Sequence, residues 1–406
     1  MVTRLPKPPT AAAPRRSLWR GRTFRLAALA LAGLALASCA LGRGMQTVSV
    51  LSDLSAGRLP EGVVRTQHPF SRNGRAHQAD LYHPDGWQPA SALVLVPGAS
   101  PRGRDDPRLV AFAGTLANAG FSVLVPEIPA LRRMTLSAGD ARIIADALRQ
   151  MADRQPHFLG VVAVSYAVGP AMLAAHEPAS AGSGAAAEVD VLVGIGGYHD
   201  ADAVATWFTT GWYRLPLSVP PDPDAPGRPG EWVQGRPGSY GKWVFLQANA
   251  HRVDDPADAA LLAEMARRRL AAPDAAIADL VPRLGADGRA VHDFLSNTDR
   301  ERAPALLAAL PARIRGEMQA LDLSRRDFSG AGPRLILVHG RNDPVIPAGE
   351  SRALAAAVRG ADGRSRAELH LVDGIGHVEA GGIGLGDALV LAEAVYSLLA
   401  LRDRAD

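Results

Sequence analysis

From about Val63 onward the chain alternates short, continuous apolar runs with longer stretches of helical spacing, and this alternation restricts the fold more than any other feature. The runs fall at 78–82, 92–96, 122–125, 159–164, 189–194, 334–339 and 368–372. Several are unbroken Val, Leu and Ile, the pattern of strands buried on both faces of a parallel sheet. Helical spacing fills the intervals, over 107–119 with Gly120 just past its end, and over 135–154, where Ile143, Ile144, Leu148 and Met151 share a face. Strand, helix and strand at intervals of roughly 30 residues is the βαβ unit. A layered α/β architecture with a mostly parallel twisted sheet flanked by helices is therefore expected.

The alternation breaks between Tyr198 and Phe328. Pro- and Gly-rich turns come first, then three segments of helical character at 257–270, 273–281 and 302–321. Nine of the 21 aromatic residues lie within 198–245, which suits either the roof of a pocket or the segment's own core. Core residues 63–199 and 328–406 are thus expected to flank a largely helical cap, 200–327, inserted between the sixth and seventh core strands.

Seven of the 44 basic residues and none of the 41 acidic ones fall within the first 38 positions, so the remaining chain holds 37 bases against 41 acids. The overall positive charge belongs to the leader, and nothing favours a nucleic-acid partner. Residues 15–25 are basic and 26–37 are apolar, a run too short for a membrane span of roughly 20 residues and typical of a signal peptide. The run closes on Leu36-Ala37-Ser38-Cys39, and Cys39 is the only cysteine in the chain. One cysteine allows neither an intramolecular disulfide nor an all-cysteine zinc site. The four residues resemble the lipobox of bacterial lipoproteins, which implies removal of 1–38 and a lipid on Cys39. With Ala40 next in place of Asp, the resemblance points to the outer membrane of the cell envelope. Residues 39–62 are expected as a tether.

Chemistry-bearing candidates are few. There is no His-Glu-x-x-His, and no histidine pairs at helical spacing or clusters with the cysteine, which leaves no zinc signature. Gly194-Ile195-Gly196-Gly197 follows a strand, but His199 stands where a dinucleotide-binding loop needs its third glycine. Ser165, by contrast, sits between the apolar run 159–164 and the helical stretch 166–176, where a sharp strand-to-helix turn would expose its hydroxyl. Such a turn demands small neighbours two residues away on each side, and these are Ala163 and Ala167. Asp343 follows the strand at 334–339, and His377 lies in Asp373-Gly374-Ile375-Gly376-His377 after the strand at 368–372. Each has an ordinary reading: a helix cap, an Asx turn before proline, a loop histidine. Together they place a hydroxyl, a carboxylate and an imidazole past the C-terminal ends of three strands, the edge where parallel sheets bind ligands.

Serine, aspartate and histidine in that chain order, with HGRNDPVIP at 339–347 and DGIGH at 373–377, are similar to the α/β-hydrolase superfamily, most closely its bacterial esterase, lipase and dienelactone-hydrolase-type members. The resemblance covers roughly 63–199 and 328–402. It departs at Ala163 and Ala167, where the family has glycines, and at Pro97, where many members have His. It implies a Ser165–His377–Asp343 triad, with Asp200 after the preceding strand as the competing acid. It also implies an oxyanion hole formed by the backbone N–H groups of Ala99 and Tyr166, no cofactor or metal, and a small-molecule carboxylic ester as substrate. Amide, thioester or lactone bonds would suit the same machinery, and a catalytically silent lipoprotein that binds a partner or a lipid is the remaining alternative.

Overall fold

The computed structural model describes residues 41–405 apart from 136, 177–186, 222–226, 361 and 378–383. The signal peptide of 1–38 and the lipid site at Cys39 lie outside the described residues.

Eight strands form one sheet: β1 (Val63–Gln67), β2 (Ala79–Pro84), β3 (Ser91–Val96), β4 (Ser122–Pro126), β5 (Phe158–Val164), β6 (Val191–Ile195), β7 (Arg334–Gly340) and β8 (Ala367–Val372). They lie in the order β1-β2-β4-β3-β5-β6-β7-β8. β2 is antiparallel to both β1 and β4, and the other neighbours run parallel. This is the α/β-hydrolase architecture expected from the sequence. β3 and β4 are buried along their whole length, which is why they read as unbroken aliphatic runs.

Alternate side chains of each strand enter two apolar layers. One packs Val94, Val161 and Leu337 against the helices Asp140–Ala152, Val168–Ala175 and Gly349–Ala357. The other packs Leu95, Val162, Val193 and Val338 against the helices Pro107–Asn118 and Leu385–Ala405. Local chemistry sets the helix starts. Asp106 accepts from the Arg108 N–H at 3.0 Å ahead of Pro107, and Asp255 accepts from the Ala257 N–H at 2.9 Å ahead of Pro256.

Among the described residues, six α-helices, three 3₁₀ turns and a two-stranded ribbon of Trp212–Arg214 with Trp232–Gln234 lie between β6 and β7. They share a core of their own, with Phe208, Phe245 and Phe294 at ring-centroid distances of 5.4–6.3 Å. The insertion thus stands where the sequence placed the cap.

Three local expectations need correction. Residues 273–281 form no α-helix: single turns close from Ala275 to Ala272 and from Leu280 to Ile277, and Val281 opens the 3₁₀ turn Val281–Arg283. The Arg268 side chain takes the Ala276 carbonyl at 3.0 Å and Asp279 at 2.8 Å, which supplies partners a helix would otherwise give. The stretch 302–321 is two helices, Ala303–Ala308 and Ala312–Leu321, parted at Pro311, which has no N–H to donate. The expected tether is helical over 41–56, and its Val50 is buried in the layer of Leu95 and Val162. Leu59 packs where Gly114 leaves room: a Cβ on Gly114 would lie 2.4 Å from its Cδ1.

Candidate active site

Ser165 follows β5 directly and opens a single 3₁₀ turn that leads into Val168–Ala175. Its φ is +58°, a left-handed conformation that costs a non-glycine residue on the order of 1–3 kcal/mol. Ala163 and Ala167 are both wholly buried, so the turn accommodates a methyl at each crowded position. The hydroxyl stands free of the sheet and lies 2.6 Å from Nε2 of His377.

On its other side, the imidazole Nδ1 is 2.8 Å from Oδ2 of Asp343. A proton on Nδ1 donates to the carboxylate and leaves Nε2 free to accept from the Ser165 hydroxyl. Asp343 is itself held from below, as Oδ1 accepts from the N–H groups of Val345 (2.7 Å) and Ile346 (3.0 Å). Burial works against its charge. Hydrogen bonds from His339 and His377 outweigh that cost, and its carboxyl is held well below the usual range. The structure therefore brings Ser165, His377 and Asp343 into one hydrogen-bonded chain. Asp200, the competing acid, is absent from it: its carboxylate caps the helix Ala201–Thr210 through the N–H groups of Asp202 and Ala203, both at 2.9 Å.

Three supporting residues lie in motifs noted in the sequence but are not among its candidate site residues. His339, fully buried, lies 3.3 Å from Asp343 Oδ2. Its Nε2 also meets the Ile346 carbonyl at 2.9 Å and its Nδ1 meets the Ser351 hydroxyl at 2.7 Å, a pattern that assigns the proton to Nε2. Gly196 has φ +63°, and a Cβ there would approach the His377 carbonyl oxygen to 2.9 Å. Gly340 ends β7 where a Cβ would come within 2.2 Å of the Ile375 oxygen. Their legible signal is glycine at a strand end, which permits close approach of another backbone. The Gly194–Gly197 run thus makes room for the histidine loop.

Ala99 and Tyr166 both border the cavity beside Ser165. A Cβ on Gly98 would lie 3.6 Å from that of Ser165, so the 97–100 loop runs past the hydroxyl. Tyr166 stands in the first turn of its helix, where an N–H has no intrahelical acceptor. The Tyr166 hydroxyl donates to the Ser137 carbonyl at 2.8 Å, and Asp140 Oδ2 lies 3.4 Å away. Burial, with Glu317 nearby, pushes the Asp140 carboxyl up to about 7.

The cavity measures about 1760 Å³. Val204, Phe208, Val244, Phe245, Met318 and Leu321 of the insertion line it together with Ser165 and His377. Of the aromatic residues clustered in the sequence, Phe208 and Phe245 face it, while Trp207 and Tyr213 pair edge to face at 5.5 Å inside the cap. Phe208 and Phe245 thus serve both readings of that cluster, whereas Trp207 and Tyr213 serve only the segment's own core. Among the described residues, no group of three or more His, Cys, Asp and Glu is placed to hold a metal ion.

No protein-family model matches the chain, and no curated protein matches its sequence. Solved structures do resemble it in the course of the backbone. One is a mutant of the rice cell wall degrading esterase LipA from Xanthomonas oryzae, at 15% identity and a TM-score of 0.46, with 85% of this chain and 91% of that one covered. Another is a Pyrobaculum calidifontis esterase, at 14% identity and a TM-score of 0.42, with 97% and 99% covered. The likeness concerns the path of the chain alone.

Proposed function

We propose that the protein is a serine hydrolase that cleaves carboxylic esters. The observation that carries this reading is the chain of hydrogen bonds from the strained Ser165 through His377 to the doubly held Asp343.

Ser165 Oγ attacks the ester carbonyl while His377 Nε2 takes its proton. Asp343 fixes the imidazole tautomer and stabilises the imidazolium that forms. The negative charge on the carbonyl oxygen is received by the N–H groups of Ala99 and Tyr166, and such donors each contribute on the order of 10²–10³ in rate. His377 returns the proton to the leaving alcohol. Water, deprotonated by the same imidazole, then releases the acid and restores the serine. The apolar roof excludes bulk water and favours hydrophobic esters.

The same reading includes export and a lipid anchor on Cys39, supported by the leader and the four residues that end it. In cells, Cys39→Ala protein is expected in the soluble fraction; equal membrane retention would remove the anchor from the account.

The enzymatic claim is tested with p-nitrophenyl butyrate. Wild-type protein turns it over, and Ser165→Ala lowers kcat by roughly 10⁴–10⁶-fold. Equal turnover by the two proteins would contradict the assignment.

A further inference from the structure

The cavity at Ser165 continues beyond the cap. It follows one face of the sheet, bordered there by Val162 and Val193, with Leu116, Ala394 and Leu398 of the two covering helices opposite. Val161, Leu192 and Leu337, which face the other layer, do not border it. The space therefore opens on one face of the sheet only. Val162 lies three residues before Ser165 on an extended strand, and Phe121, just ahead of β4, also borders the arm, so it reaches beyond roughly 10 Å from the hydroxyl at ~3.3 Å per residue. Its walls are side chains of the apolar layer. They border open volume although Val162, Leu116 and Leu398 are all buried. Leu54, 38% exposed, also lines the cavity. The whole volume exceeds the roughly 300–1,000 Å³ usual for a small-molecule pocket.

An apolar space between a sheet face and two helices, continuous with the volume beside a nucleophile, suits one kind of ligand. We propose that this arm is a sleeve for a long unbranched hydrocarbon chain, and that the substrate is accordingly a long-chain ester. The second statement rests on the nucleophile reading of Ser165, whereas the sleeve itself does not. The roof beneath the insertion receives the other side of the ester bond. Ala394 borders the sleeve from the helix Leu385–Ala405, which carries none of Ser165, His377 and Asp343, and a larger side chain there would fill it.

Two measurements separate the claims. The first is calorimetric binding of saturated fatty acids, from butanoate to hexadecanoate, to full-length Ser165→Ala protein. Each CH₂ that enters an apolar site strengthens binding by up to about fourfold, so an increase of about tenfold or more is expected between octanoate and tetradecanoate. Adding Ala394→Phe should abolish most of that increase, and Ala388→Phe, on the same helix and also lining the cavity, serves if the first variant fails to fold. Affinity independent of chain length, or an increase that survives both variants, would overturn the sleeve.

The second is kcat/KM for two ester series on the wild type, one lengthened on the acyl side and one on the alcohol side. A rise with length in either series, lost in the blocked variant, assigns the chain to that side. Hydrolysis of short esters with no rise in either series would overturn the long-chain substrate and leave the hydrolase reading standing. Length-dependent binding without hydrolysis would retain the sleeve and remove the hydrolase reading.

Discussion

Ser165 occupies a backbone conformation that its side chain disfavours, and it stays there because β5 and the following helix fix both ends of the turn. The strain is separable from the chemistry. Ser165→Gly and Ser165→Ala both remove the hydroxyl, but only glycine adopts φ +58° without cost. The glycine variant should be the more stable of the two by about 1 kcal/mol in urea denaturation, and both should be inactive. Equal stability would mean that the turn relaxes when the hydroxyl is lost. Asp343 calls for a different substitution. Asn in its place keeps the shape and loses the charge facing His377, and its amide can pair with the wrong imidazole tautomer. We expect Asp343→Asn to lower kcat by roughly 10³–10⁴-fold with little change in KM, measured on a short p-nitrophenyl ester.

At the scale of elements, the ends of β6 and β7 are tied together by Glu350. It lies on the helix Gly349–Ala357 and accepts from the N–H groups of His199 (2.9 Å) and Asp200 (2.7 Å). Burial, reinforced by the nearby Asp200 charge, pushes its carboxyl up to about 8 from an ordinary 4.5. Between those values the folded chain keeps a proton that the unfolded chain has released, so stability falls as pH rises from about 5 to 8 and the contribution is flat above that. The slope from one such group is at most about 1.4 kcal/mol per pH unit. Glu350→Gln should flatten that part of the stability–pH curve, read by urea unfolding at several pH values; an unchanged slope would place the titration elsewhere. Gly196 connects β6 to the histidine loop. Gly196→Ala would strain a positive φ and press on the His377 backbone, at a cost on the order of 1–2 kcal/mol in stability. A fall in kcat larger than the loss of folded protein would show that it positions His377.

Over the whole molecule, the strands with both faces buried were the most legible, because continuous Val, Leu and Ile leaves little else for such a segment to do. The residues of the site were legible for a related reason: Ser165 and Asp343 each follow one of those strands, and His377 follows β8, which is mostly half-buried, on a glycine-bearing loop. What supports them was not. His339 reads as the last residue of an aliphatic run, and its contact with Asp343 arises only when the chain turns back over residues 341–346. Residues 39–62 read as a tether because they lack strand periodicity, yet Val50 finds a partner layer that lies far away in sequence. The helical reading of 273–281 failed for a similar reason: the Arg268 side chain, from the preceding helix, takes the carbonyl of Ala276.

The central claim is that the hydroxyl of Ser165 is made nucleophilic by His377 and Asp343. Reaction of the full chain with a fluorophosphonate, followed by mass spectrometry of its peptides, tests this directly. One adduct, on Ser165, formed far more slowly when His377 is replaced by Ala, is the predicted result. No adduct, an adduct on another residue, or an unchanged rate in the His377→Ala protein would contradict it.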